Sequence, residues 1–125
     1  MQDARALILI VDDDASIRRA LSRLFQYAGL EVEVYASAGE LFGRELPDRP
    51  ACLLLDLHMP EVHGFEVLER VAATLPELPV VIVTADSRAE TEARAHRLGA
   101  AGFLRKPLDE EDLLGTIRRV LGAAA

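Results

Sequence analysis

Asp12 and Asp13 follow directly on an apolar run at residues 7–11, Asp56 on residues 51–55 and Thr84 on residues 80–83, while Lys106 stands just beyond residues 102–104. Carboxylates, a hydroxyl and an ammonium are the groups that handle a hard cation and a phosphoryl group. Taken singly, each has a plainer reading. Asp12, Asp13 and Asp14 precede a helix, where carboxylates cap free amides, and Asp14 is read only as a cap or solvent residue. Thr84 alone is an ordinary strand-end hydroxyl and Lys106 an ordinary loop lysine. Asp56 is harder to dismiss, since a carboxylate directly after apolar strand residues is costly unless paired or metal-bound. The recurrence of the same position after each run is what points to chemistry.

The elements that must position these residues alternate between short apolar runs and helical periods. Residues 7–11 read as a strand, and Ile17, Leu21, Leu24, Phe25 and Ala28 as a helix that Gly29 ends. Residues 31–35 alternate acidic and apolar side chains as an edge strand does. The capping-box spacing Ser37-Ala38-Gly39-Glu40 then opens a short second helix, expected to stop near Pro47. Residues 51–55 form a strand covered on both faces, and Phe65, Leu68, Val71, Ala72 and Leu75 stripe a third helix. Residues 80–83 are a β-branched central strand. Ser87-Arg88-Ala89-Glu90 repeats the capping-box spacing, opening a polar fourth helix with only Ala89, Ala93, Ala95 and Leu98 to bury. Residues 102–104 lead to Lys106-Pro107, and Asp109 caps a fifth helix with Leu113, Leu114, Ile117, Val120 and Leu121 inward.

This alternation with short connections builds parallel strands through right-handed crossovers. The expected fold is α/β, a doubly wound five-stranded parallel sheet of flavodoxin-like strand order 2-1-3-4-5. Ligands of such sheets bind outside the carboxyl ends of the strands. In that order the first and third strands are neighbours, so Asp12, Asp13 and Asp56 converge and repel. Mg²⁺ and the Lys106 ammonium relieve the repulsion, leaving Asp56 as a nucleophile that forms an acyl phosphate contacted by Lys106 and Thr84.

The 125 residues suit a single domain, 1–125 with a core of about 5–122, and half of them are apolar, which excludes a disordered chain. A net charge of −7 disfavours direct contact with nucleic acid or an anionic membrane. Cys52 is the one cysteine, so neither a disulfide nor a cysteine zinc site is available. The absence of an export pattern or an apolar run of roughly 18 residues leads to a cytoplasmic expectation.

Val11-Asp12-Asp13, Asp56-Leu57-His58-Met59-Pro60 with Gly64, Thr84-Ala85 and Lys106-Pro107 together resemble the signature of the receiver domain of two-component response regulators. That resemblance implies a phosphorelay phosphoprotein in which the aspartate matching Asp56 takes a phosphoryl group from a phosphohistidine. It implies Mg²⁺ held by Asp12, Asp13, Asp56 and the backbone carbonyl of His58, a Thr84 hydroxyl that swings to the phosphate, a lysine at 106 that pairs with it, and a Lys-Pro bond that is usually cis. The resemblance further implies that an aromatic at Phe103 turns inward on activation and that the face of helix four, strand five and helix five changes; Phe103 is equally well read as a core strand aromatic. The implied donor is a sensor histidine kinase or histidine phosphotransfer protein. The implied readers are an attached output domain or effector and a second copy of the chain.

His58 and Asp86 occupy the positions that tune the lifetime of the acyl phosphate in this family. His58 is either a bland surface imidazole or a group that orients or crowds out the hydrolytic water. Asp86 is expected to place negative charge near the mouth, and His63 is read as a loop residue. The competing enzyme, a haloacid-dehalogenase-type phosphatase with an aspartate nucleophile, needs a second aspartate where this chain has His58. A pseudo-receiver that only docks partners is disfavoured by the intact acidic pair, acceptor, threonine and lysine. No Walker or Rossmann glycine pattern is present.

Overall fold

The computed structural model describes residues 5–46, 48–59 and 62–124. In chain order they form β1 (Leu7–Val11), α1 (Ala15–Tyr27), β2 (Glu31–Tyr35), α2 (Ala38–Phe42) and β3 (Ala51–Asp56). There follow β4 (His58–Met59), β5 (Val62–His63), α3 (Gly64–Thr74), β6 (Val80–Thr84), α4 (Ala89–Arg97), β7 (Gly102–Arg105) and α5 (Glu110–Ala124). Five of the strands build one parallel sheet, ordered β2-β1-β3-β6-β7, which is the expected 2-1-3-4-5 arrangement.

The unbroken apolar runs are explained by cover on both faces of the sheet. Leu9, Val11, Leu53, Leu55 and Ile82 face α2, α3 and α4, where Leu41, Leu68, Val71 and Ala95 meet them. Ile8, Ile10, Cys52, Leu54 and Val83 face the other way, onto Phe25 of α1 and Leu113 and Ile117 of α5. Each large side chain removed from water in this way stabilises the fold by about 1.5–3 kcal/mol. β2 has no fully buried residue, with Glu31 and Val34 exposed and the other three half-buried, as suits a strand at the sheet edge.

Helix boundaries follow local chemistry. The Asp14 carboxylate caps α1 by accepting from the Ser16 and Ile17 amides, and Gly29, at φ 88°, takes the left-handed turn that ends it. Asp109 accepts from the Asp112 amide at 3.0 Å and caps α5.

Four local expectations are corrected. α2 stops at Phe42 with Gly43 as its cap rather than near Pro47, which lies outside the described residues. Neither capping box closes: Ser37 is the N-cap of α2 but makes no side-chain capping bond, and α4 is capped at Arg88, not Ser87. α4 buries Thr91 and Ala95, with Leu98 half-buried, while Ala89 and Ala93 are exposed. Its inward face is therefore the stripe 91, 95, 98, at the spacing one side of a helix presents. His63 is not in a loop, because its backbone pairs with that of His58 in a two-stranded antiparallel ladder.

Candidate functional site

Strand register brings the acidic residues together. Val11 is level with Leu55 across β1 and β3, so Asp12 and Asp56 stand side by side where the two strands end. Both are 4% exposed, whereas Asp13 is exposed. Asp12, Asp13 and Asp56 each offer a carboxylate oxygen, and these lie within 4.8 Å of one another. An oxygen-only donor set of this kind suits a hard divalent cation.

The cluster is held from several sides. One Asp12 oxygen accepts from the Asp14 amide at 2.9 Å, while the Asp12 carbonyl accepts from Arg18 Nη1 at 2.7 Å. Lys106 Nζ lies 3.5 Å from Asp12 Oδ2 and 3.6 Å from Asp56 Oδ2. At those separations the ammonium acts as a shared counter-charge rather than as a tight donor to either oxygen. Its position is set by the Lys106 amide, which donates to the Thr84 carbonyl at 2.8 Å, and the peptide bond to Pro107 is cis.

Thr84 ends β6, the neighbour of β3, one residue beyond the Asp56–Val83 pair. Its side chain is fully buried, and Oγ1 accepts from the Asp86 amide at 3.1 Å. Asp86 does not stand free at the mouth. Its carboxylate accepts from the Arg88 amide at 2.9 Å, from Arg88 Nη2 at 2.7 Å and from Thr91 Oγ1 at 2.8 Å. The Arg88 guanidinium, then the Arg88 amide and Thr91, hold the Asp86 carboxyl well below the usual carboxylate range.

Phe103 on β7 is half-buried, with the Arg105 guanidinium 5.1 Å from its ring centre and the His96 ring centre 6.5 Å away. Arg105 also pairs with Glu92 of α4 at 3.1 Å. Cys52 is buried, and burial pushes its thiol up to about 12. The β4–β5 ladder describes the backbone of His58, while its side chain and Pro60 lie outside the described residues.

Sequence reasoning missed Thr91 and Arg18. Thr91 was legible in principle, because it is the polar member of the 91, 95, 98 stripe. Arg18 carried no such signal, since its bond to a main-chain carbonyl depends on how α1 packs against β1.

A doubly wound parallel sheet with an acidic cluster closed by a lysine at the carboxyl ends of its strands defines a CheY-like receiver fold. A model of the response regulator receiver domain matches residues 8–118, and the chain belongs to this family. Response regulator protein TmoT of Ectopseudomonas mendocina is 36% identical over 124 residues, which is 99% of this chain and 56% of that protein. Nodulation protein W of Bradyrhizobium diazoefficiens is 34% identical over 113 residues, 90% of this chain and 50% of that protein. The crystal structure of a CheY-like receiver domain protein from Methanospirillum hungatei JF-1 superposes with a TM-score of 0.87 at 30% identity, covering 97% of both chains. The chain thus spans about half the length of these curated relatives. Among the described residues no helix is long and apolar enough to cross a membrane.

Proposed function

We propose that this chain is a phosphoacceptor in which Asp56 takes a phosphoryl group from a phosphohistidine of a sensor histidine kinase or histidine phosphotransfer protein. The observation that carries this reading is the meeting of Asp12, Asp13 and Asp56 oxygens within 4.8 Å, with the Lys106 ammonium 3.6 Å from Asp56. An Asp56 carboxylate oxygen attacks phosphorus, the P–N bond to the donor imidazole breaks with its electron pair left on nitrogen, and the new P–O bond makes an acyl phosphate. Asp12, Asp13, Asp56 and the backbone carbonyl of His58 would hold Mg²⁺, which when bound supplies positive charge beside the phosphoryl oxygens. Lys106 pairs with those oxygens and the Thr84 hydroxyl donates to one of them. The chain in this reading serves no turnover beyond gaining and losing its own phosphoryl group.

An apolar groove lined by Ile17, Leu21, Leu24, Pro107 and Leu113 includes Lys106 in its wall. Lys106 borders the acidic cluster as well, so a donor protein seated in the groove presents its phosphohistidine beside Asp56. The readers of the switch are an attached output domain or effector, or a second copy meeting the α4–β7–α5 face. The greater length of the curated relatives is compatible with attached output.

Incubation with acetyl phosphate and Mg²⁺ tests the reading. The expected result is uptake of one phosphoryl equivalent, seen by intact mass, that Asp56→Asn abolishes; repeated turnover of a small phosphate ester, or no uptake, overturns it. His58→Ala is expected to keep the label but to change its decay rate, and superimposable decay curves for variant and parent would remove the tuning role.

A further inference from the structure

Asp13 is the one member of the acidic cluster that stands in solvent. Asp12 is tied at its amide, which donates to the Tyr35 carbonyl at 3.2 Å, at its carboxylate, which accepts from the Asp14 amide at 2.9 Å, and at its carbonyl, which accepts from Arg18 Nη1 at 2.7 Å. Asp12 and Asp56 also share the Lys106 ammonium. Among the described residues no hydrogen bond or ion pair reaches the Asp13 carboxylate, so its direction is set by the backbone that carries it. That backbone is the peptide joining Asp12 to Asp13, and the Arg18 bond is made to its oxygen.

Helix stability does not account for Arg18. It is the fourth residue of α1, inside the first turn, where the helix dipole disfavours a cation. It is half-buried, and among the described residues no carboxylate forms an ion pair with it. Side chains of a helix lean toward its N-terminus, which carries the guanidinium back from position 18 to the end of β1. The bond it makes there is short and charge-assisted, which places it among the stronger kinds. We propose that Arg18 is a positioning residue for the metal site: by clamping the Asp12 carbonyl it fixes the plane of the 12–13 peptide and so keeps the Asp13 carboxylate beside those of Asp12 and Asp56. The proposal rests on the phosphoacceptor reading, because it concerns the residues that would hold Mg²⁺ there.

Two effects of the guanidinium oppose each other, and their signs separate them. As a positive charge near the acidic cluster it repels a divalent cation, so removing it would tighten Mg²⁺ binding. As a clamp it orders Asp13 before the ion arrives, so removing it frees an exposed carboxylate that the ion must then immobilise. Groups that orient a metal ligand change affinity by about 10–100-fold, whereas a solvent-screened charge does less. The clamp therefore sets the expected sign.

Mg²⁺ titration of the parent and of Arg18→Met, followed by thermal midpoint, tests the clamp. Methionine keeps an apolar stem and cannot donate. The expected result is a Mg²⁺ dissociation constant about tenfold higher in the variant. A lower constant overturns the proposal and leaves Arg18 as a counter-charge. An unchanged constant overturns it too, whatever the midpoint in a chelator, since that is the outcome for an arginine that only supports the fold. Arg18→Gln, too short to reach the Asp12 carbonyl, applies the same criterion if Arg18→Met does not fold. Either of those failures, with Mg²⁺ stabilising the parent, removes the clamp alone, whereas a parent that Mg²⁺ does not stabilise overturns the phosphoacceptor reading as well.

Discussion

Gly64 shows how closely the chain is built around Asp56. A Cβ added there would lie 2.5 Å from Leu57 Cδ2 and 2.7 Å from both the Leu57 Cα and carbonyl oxygen. Backbone cannot yield as a side-chain tip does, so Gly64→Ala should lower the unfolding free energy by about 1–3 kcal/mol. Leu57 follows Asp56 directly, so the same variant should also be labelled more slowly by acetyl phosphate. Urea unfolding and a labelling time course check both, and a midpoint equal to the parent's would show that the loop accommodates the methyl group. The glycine was visible in the motif, but its reason was not, because a close approach between residues 57 and 64 depends on how the β4–β5 ladder folds back onto α3.

At the scale of elements, the edge strand β2 shows what charge does where packing is thin. The Arg44 guanidinium bonds both oxygens of Glu33, and the Tyr35 hydroxyl donates to Glu33 at 2.6 Å. Arg44 chiefly, helped by Tyr35, holds the Glu33 carboxyl down at about 2 against burial that raises it. A carboxylate whose folded value lies below its unfolded 4.5 stabilises the fold fully above that pH and loses the contribution as pH falls toward 2. Glu33→Gln should therefore cost up to about 1 kcal/mol at neutral pH, a modest figure because the pair is partly exposed. Parent and variant should converge in thermal midpoint near pH 2, and a constant offset across the range would contradict the assignment. The same scale exposes the limits of motif spacing. Both Ser-x-x-Glu boxes had the right interval, yet the α4 one lost to Asp86, whose carboxylate reaches the Arg88 amide from the preceding turn.

For the molecule as a whole, the phosphoacceptor reading sets function against stability at one end of the sheet. The strands meet in register, so their terminal carboxylates are driven together by hydrophobic burial several residues away. Removing one charge should relieve this: Asp13→Asn is expected to raise the thermal midpoint in a chelator by a few degrees, roughly 4 °C per kcal/mol for a domain of this size. The same variant should show a smaller rise on adding Mg²⁺ than the parent, whose stabilisation at about 100 times the dissociation constant approaches 2.7 kcal/mol. Scanning calorimetry with and without the ion measures both, and an unchanged Mg²⁺ increment would exclude Asp13 from the ion's shell.

What the amino-acid order settled by itself was the five strands of the parallel sheet, their alternation with five helices and the apolar faces of α1 and α5, with Asp12, Asp13, Asp56, Thr84 and Lys106 as the candidates at the strand ends. Those follow from periodicity and turn chemistry, which act over a few residues. Tertiary structure decided how far Lys106 stands from each carboxylate, where Asp86 directs its charge and which face α4 buries. Each of these depends on groups distant along the chain being placed by crossovers and packing, and no local pattern encodes such a distance.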